Sequence, residues 1–95
     1  MEEVDPNQDT VAIPITGELD LHTFSPSEAT RVIDAYLDAC AHRGIYSIRI
    51  VHGKGIGTLR RMVLAHLSRH PAVAELKAAD EMSGGWGAVW VALRR

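Results

Sequence analysis

A β-branched strand pattern that runs directly into a glycine-rich loop is the feature that most constrains the fold of this chain. Ser47–Val51 has the aliphatic alternation of a strand, and Gly53, Gly55 and Gly57 follow at every second position. A helical pattern begins at Thr58. A strand, a tight loop and a helix in direct succession are the unit from which parallel α/β sheets are built. Glycine also lets the loop backbone adopt positive φ angles and approach a ligand closely.

The glycine loop and the start of the next helix together predict an anion-binding site. N–H groups of a first helical turn lack partners within the helix, and the helix dipole favours negative charge there. Phosphate-binding candidates are therefore Gly53, Lys54, Gly55, Gly57, Thr58, Arg60 and Arg61. The pattern is not a Walker loop, because no Gly-Lys-Ser/Thr stands at the required spacing. It is not a dinucleotide fingerprint either, because the glycine that should follow Gly53 and Gly55 at position 58 is Thr58. The alternative is a simple tight connection, for which one glycine would suffice.

The first half of the chain predicts a strand followed by a helix. The strand covers Val11–Ile15 and Leu19–Leu21, with an interruption at Gly17. A capping box in Ser25–Glu28 begins the helix, and Gly44 ends it. We expect the acidic residues 1–10 to be a mobile tail, so that residues 11–95 form the domain.

The second half predicts two more strands and completes the order βαβαββ. Val73–Ala79 is a weak strand pattern, and Ala88–Leu93 is apolar throughout, as in a strand inside a sheet. Right-handed crossovers place both helices on one face of the sheet. The prediction is an α/β two-layer sandwich, with a mixed four-stranded sheet of order 1-2-4-3.

Composition limits the classes of function. With 95 residues and 46% hydrophobic content, the chain is one globular domain, and its net charge of −2 argues against sequence-blind coating of DNA. Aromatic residues are only 5%, which argues against an extended base-stacking platform. Cys40 lies on the helix stripe and is predicted to be core. Without a signal peptide or membrane span, we expect a cytoplasmic monomer or weak dimer that does not act at a membrane.

The predicted topology brings distant residues together. The carboxyl ends of the first three strands lie along one edge of the sheet, where open α/β sheets bind ligands. The side chains expected at that edge are Asp20, His22, His52, Lys54 and Trp86.

Three of these residues are candidates for catalysis. Asp20 and His22 lie two apart on a strand and so share a face, where Asp20 could orient His22 or activate water. The alternative for Asp20 is a hydrogen bond to backbone amides of a turn. His52 could protonate a leaving oxygen, donate to a phosphate, or only hold the loop in place. Together the three could instead bind a metal ion, although no fourth ligand is evident, so a divalent metal is the one cofactor left open.

The two tryptophans receive different predictions. Trp86, between glycines, could stack on a base or pack on its own sheet. Trp90, within the last strand, is predicted to be core.

Two motifs in order resemble the small MutS-related (Smr) domain family. They are Leu19-Asp20-Leu21-His22 and His52-Gly53-Lys54-Gly55-Ile56-Gly57, and Gly84-Gly85-Trp86-Gly87 precedes the last strand. The resemblance runs from about Gly17 to Leu93. The sequence departs from the family at Thr23, where glycine is usual.

The resemblance implies a βαβαββ sandwich like the C-terminal domain of bacterial translation initiation factor three. It also implies binding of DNA or RNA and, as in several members, nicking of phosphodiester bonds in structured or branched nucleic acid. No nucleotide cofactor is expected. The alternative left open by Thr23 and by the charge is a non-catalytic module that recognises nucleic-acid structure; a weaker one is a protein-interaction domain.

Overall fold

The computed structural model describes residues 13–53, 57–78 and 87–95 as a mixed sheet covered by two helices. The sheet order is β1-β2-β4-β3, with β1 parallel to β2 and β4 antiparallel to both of its neighbours. The predicted order of elements and of strands is therefore confirmed. The elements are β1 (Glu18–Asp20), α1 (Pro26–His42), β2 (Ser47–Val51), α2 (Gly57–Ser68), β3 (Val73–Ala78) and β4 (Ala88–Leu93).

Helix α1 begins and ends where its sequence signals predict. The Ser25 hydroxyl accepts a hydrogen bond from the Glu28 amide at 3.3 Å, and the Glu28 carboxylate accepts one from the Ser25 amide at 3.0 Å. Pro26 occupies the first turn, where its missing N–H would have had no partner. Gly44, with φ of +76°, ends the helix in the left-handed conformation that glycine tolerates best.

The two faces of the sheet have different environments. Ile48 and Ile50 of β2, with Val89 and Val91 of β4, are buried in one core with residues of both helices. The residues between them lie on the opposite face, which carries neither of the two described helices. Trp90 is one of these and is 36% exposed, so its predicted place in the core was wrong. An apolar run predicts burial but does not reveal that only one face of the strand is covered.

Strand β1 is shorter than predicted and is held by a tyrosine of α1. Residues 13–17 form no strand, because Gly17 (φ +101°) bends the chain just before β1. The Tyr36 hydroxyl accepts hydrogen bonds from the Gly17 and Thr16 amides and donates to the Glu18 carbonyl. Tyr36 is itself buried, so the bend that leads into β1 is fixed to the core. The acidic tail and the start of the predicted strand, residues 1–12, lie outside the described residues.

A carboxylate between two imidazoles connects the helices. Asp34 Oδ1 of α1 lies 2.7 Å from Nε2 of His66, in the last turn of α2, and 3.2 Å from Nε2 of His70, just after that helix. The His70 Nδ1 accepts a hydrogen bond from the Ala72 amide, so its Nε2 carries the proton given to Asp34. These contacts link α1 to the C-terminal end of α2 and the segment that follows it.

Cys40 is buried, as predicted, and burial raises the pKa of its thiol. In the part of the chain that the structure describes, no helix is long and apolar enough to span a membrane.

Candidate active site at the sheet edge

Backbone contacts of three strands build the predicted site edge. The Leu21 amide extends the β1–β2 pairing by donating to the Val51 carbonyl at 2.7 Å. The amides of His52 and Gly53 both donate to the carbonyl of Gly87, at 2.7 and 3.0 Å. The ends of β1 and β2 and the start of β4 therefore meet at one point.

Two glycines allow this close meeting. Gly53 has φ of +89°, and a Cβ at its position would lie 3.2 Å from the Cβ of His22. A Cβ at Gly87 would lie 2.9 Å from the Gly53 carbonyl carbon, closer than real side chains come. His22 therefore lies directly against the residue that follows His52, and the predicted convergence of these two segments is confirmed.

One prediction for the loop needs correction. The Gly53 amide was assigned to a phosphate, but it donates to the Gly87 carbonyl instead. Gly53 serves the site through its positive φ and its contact with His22, not as an open donor. Gly87, in turn, was not among the predicted site residues; the signal that could have found it is its place at the end of Gly84-Gly85-Trp86-Gly87.

Asp20 and His22 form a hydrogen-bonded pair open to solvent. The His22 Nδ1 lies 2.7 Å from Asp20 Oδ1, and the His22 amide donates to the same oxygen at 3.0 Å. Because a carboxylate only accepts, the Nδ1 carries a proton, and this geometry selects the tautomer in which the Nε2 has the lone pair. The His22 side chain is 59% exposed and the Asp20 side chain 53%, so a large substrate can reach both. Both sequence interpretations of Asp20, orienting the ring and binding a backbone amide, hold at once.

The charge on Asp20 is stabilised where it stands. Partial burial acts to raise the pKa of Asp20, but the hydrogen bonds from the His22 amide and ring outweigh it. The positive charge of Arg49 adds to them, and the pKa of Asp20 lies below its ordinary value. Asp20 is therefore a carboxylate at neutral pH and remains an acceptor for His22.

His52 has the opposite environment. It is 4% exposed, and its Nδ1 lies 3.0 Å from the Gly53 carbonyl, to which it donates. Burial lowers the pKa of His52, and the nearby positive charge of Arg60 lowers it further, against the hydrogen bond to Gly53 that raises it. The ring is therefore neutral near pH 7. Of the three predicted roles, holding the loop is the one that this geometry favours, because a neutral ring with its proton on Nδ1 has none to give from Nε2.

The start of α2 carries positive charge and no acidic residue. The positive charge of Arg60, in the first turn of α2, contributes to lowering the pKa of His52. Gly57, Thr58 and Arg61 also lie in the exposed first turn, which contains no acidic residue. Lys54, Gly55 and Trp86 lie outside the described residues.

Metal binding receives no support from the described side chains. Asp20, His22 and His52 all belong to residues 13–53, and no group of three His, Cys, Asp or Glu side chains in the described ranges is placed to hold a metal ion.

The chain matches the family that its motifs resemble. The sequence model of the Smr domain family matches residues 19–94, which is most of the chain. This chain belongs to the Smr domain family. Its Smr domain is 36% identical to the endonuclease MutS2 of Staphylococcus saprophyticus over 80 residues and 38% identical to that of Thermomicrobium roseum over 79 residues. The matches cover 84% and 83% of this chain but only 10% of each relative, so the chain spans about a tenth of their length.

Solved Smr structures share the fold. The Smr domain of Thermus thermophilus MutS2 superposes with a TM-score of 0.80 at 34% identity, over 84% of this chain and 100% of that one. YdaL, a stand-alone small MutS-related protein from Escherichia coli, superposes with a TM-score of 0.76 at 26% identity, over 83% of this chain and 65% of that one. These similarities agree with the strand order found here.

Proposed function

We propose that this Smr domain binds nucleic acid and nicks phosphodiester bonds in structured or branched DNA or RNA. The observation that carries the proposal is the exposed Asp20–His22 pair, whose geometry leaves the His22 Nε2 as a proton acceptor at the sheet edge. The name endonuclease carried by the MutS2 relatives supports the same reaction class.

The start of α2 supplies the charge that such a substrate requires. Arg60, Arg61 and the exposed amides of the first helical turn bind one phosphate, where the helix dipole adds to the attraction. Thr58 can donate a further hydrogen bond from its hydroxyl. Lys54 and Gly55 are assigned to the same phosphate by their place in the loop sequence. Charge neutralisation of this kind matters most in the transition state, where the phosphate carries additional negative charge.

His22 then acts as the general base. Its Nε2 takes the proton of the attacking hydroxyl, which belongs to water or, in RNA, to the neighbouring ribose. The new bond from that oxygen to phosphorus forms as the bond to the leaving oxygen breaks, and water protonates the leaving oxygen. Asp20 holds the ring and stabilises the imidazolium that results. His52 keeps the loop in place from its buried position.

Cleavage of supercoiled plasmid and of a structured RNA tests this assignment. His22→Ala should reduce the nicking rate by about 100-fold or more, the contribution typical of a general base. His42→Ala is the matched control, because His42 is the last residue of α1 and its side chain is 75% exposed. The nicking rate of this variant should equal that of the wild type. A His22→Ala/His52→Ala double variant that nicks at the wild-type rate would remove the mechanism.

A non-catalytic binding module is the second candidate, favoured by Thr23. This residue stands in the turn closed by the Phe24 amide and the Leu21 carbonyl, where family members usually have glycine. A pure binder would lose affinity steeply with salt and with Lys54→Ala, and would show no turnover. If neither change altered affinity, the glycine loop would not be the docking site.

A further inference from the structure

The face of the sheet opposite the two described helices carries an exposed tryptophan in the middle of a row of four side chains. The strand register aligns Glu18, Arg49, Trp90 and Lys77 across β1, β2, β4 and β3. Among the described residues, Trp90 is the one large hydrophobic side chain that is exposed. An indole in this position is available to a partner, whereas its burial in the core would have been the normal outcome for an apolar strand.

The surface next to Trp90 is open. A depression beside it is lined by Ser47, Glu75, Lys77 and Ala92, among others. Ser47 and Ala92 are paired in register and Glu75 follows Ala92 in the same row, so short side chains lie next to the indole on β2 and β4 and a longer one on β3. Within the described part of the chain, a flat group can therefore reach the indole from the side of Ser47 and Ala92.

Charges on this face are nearly balanced. Arg49 is paired with Glu18 at 3.1 Å, and Glu75 lies on the same strand as Lys77. A face of this kind does not attract the dense phosphates of a duplex backbone, which requires several cations close together. It suits an uncharged planar group that is accompanied by a single phosphate near Lys77.

The face is continuous with the candidate active site. Asp20 alternates with buried Leu19 and so lies on the same side as Glu18, and the register places Trp90 two strands away. At about 5 Å between strands and 3.3 Å per residue, the two are roughly 12 Å apart. A chain that reaches the Asp20–His22 pair can extend across β2 to the indole.

We infer that Trp90 stacks on one unpaired nucleobase of the substrate, so that this domain selects single-stranded or splayed-out segments. This inference rests on the proposed function. Aromatic side chains bind unpaired bases by stacking, largely without regard to sequence. A single tryptophan holds one base, which is consistent with the low aromatic content that argued against an extended platform.

Tryptophan fluorescence tests the contact in the full chain. In a Trp86→Phe background Trp90 is the one remaining tryptophan. Titration with 12-nucleotide strands of deoxythymidine or uridine should quench its emission as binding saturates, and a 12-base-pair duplex should not. Strands that bind without quenching would overturn the inference, and this measurement leaves Trp90 itself unchanged.

Binding to labelled strands gives the energetic test. Trp90→Ala should weaken single-strand binding by about 5-fold to 100-fold, Trp90→Phe should retain most of it, and duplex binding should not change. Arg31→Ala, an exposed change on α1, is the control and should have no effect. Wild-type affinity in Trp90→Ala, or equal losses for strand and duplex, would refute the stacking role.

Two further outcomes separate this inference from the proposed function. If the wild-type protein nicks its substrate, and Trp90→Ala binds single strands and nicks as well as the wild type, the stacking role is overturned and the proposed function stands. Wild-type protein that binds no nucleic acid would overturn both. A dimer in light scattering that Trp90→Ala converts to a monomer, with strand binding unchanged, would assign the face to a second copy of the chain.

Discussion

Gly87→Ala should be among the most damaging single-methyl additions to this domain. Gly87 begins the stretch that leads into β4, and its carbonyl receives the amides of both His52 and Gly53. Its φ is not in the left-handed region, so alanine is excluded by contact and not by backbone conformation. The added methyl would meet backbone atoms of Gly53, which cannot rotate away as a flexible side chain would.

The size of the effect follows from these contacts. The methyl carbon would lie 2.9 Å from the Gly53 carbonyl carbon, which is about 0.6 Å closer than the roughly 3.5 Å at which carbon atoms pack well. Overpacking of this kind costs about 1–3 kcal/mol. The shift also weakens two hydrogen bonds, each contributing about 0.5–1.5 kcal/mol. We expect a loss of about 2–4 kcal/mol in the free energy of unfolding.

Urea denaturation with two matched glycine variants measures this. Gly44→Ala places an alanine at a φ of +76°, where its Cβ would have nothing within 4 Å. The strained backbone alone should lower the free energy of unfolding by about 1–2 kcal/mol. Gly57→Ala meets nothing within 4 Å and has no positive φ, so it should stay within about 0.5 kcal/mol of the wild type. If Gly87→Ala were no less stable than Gly57→Ala, the contact with Gly53 would not shape the site and the reasoning would fail.

Four further predictions concern the residues around the site. Tyr36→Phe should lose about 1–3 kcal/mol in urea denaturation, because the Gly17 amide loses its buried acceptor; an unchanged midpoint would contradict this. As pH falls below the free-histidine value of 6.5, the unfolded chain takes up a proton before buried His52 does, so wild-type stability should fall. His52→Gln should flatten that fall, and an equally steep fall in the variant would assign it to another group. Asp20→Asn should slow nicking by about 10-fold to 100-fold without unfolding the domain, because an amide no longer fixes the His22 tautomer; far-ultraviolet circular dichroism checks the fold. A dinucleotide should be cleaved at least about 100-fold more slowly, in kcat/KM, than a 12-nucleotide strand, since it lacks the remote contacts that bind the longer chain.

Much of the fold could be predicted because local signals agree with the global arrangement. The capping box of α1, the glycine at its end and the aliphatic run of β2 each determine an element boundary within a few residues. The start of β1 could not be predicted in this way. Ile13 and Ile15 have the apolar character of a strand, yet they pack partly against the core from outside the sheet, because Gly17 bends the chain and Tyr36 holds the bend.

The candidate site, like the fold, could be predicted where it depends on local sequence and could not where it depends on strand pairing. The Asp20–His22 contact follows from a spacing of two residues on an extended segment, so the sequence was sufficient. The capture of the Gly53 amide by the Gly87 carbonyl joins residues 34 positions apart and depends on the pairing of β2 with β4. The burial of His52 also depends on the tertiary structure, which is why its neutral state could not be predicted from the sequence.

The two histidines at the site edge divide between them what an active site needs. His52 is buried, and its Nδ1 proton is held by the Gly53 carbonyl, so its neutral ring has no proton on Nε2 to transfer near neutral pH. His22 is exposed to solvent, and its Nδ1 is held by the Asp20 carboxylate. Its Nε2 can therefore accept a proton, but water competes for the same hydrogen-bonding position. An exposed base gains strength only when the substrate itself excludes water, and a polymer laid over the edge can do this where a small molecule cannot. If the proposed function holds, the docking contacts proposed at the start of α2 and around Trp90 are therefore as much a condition of cleavage as the proposed base itself.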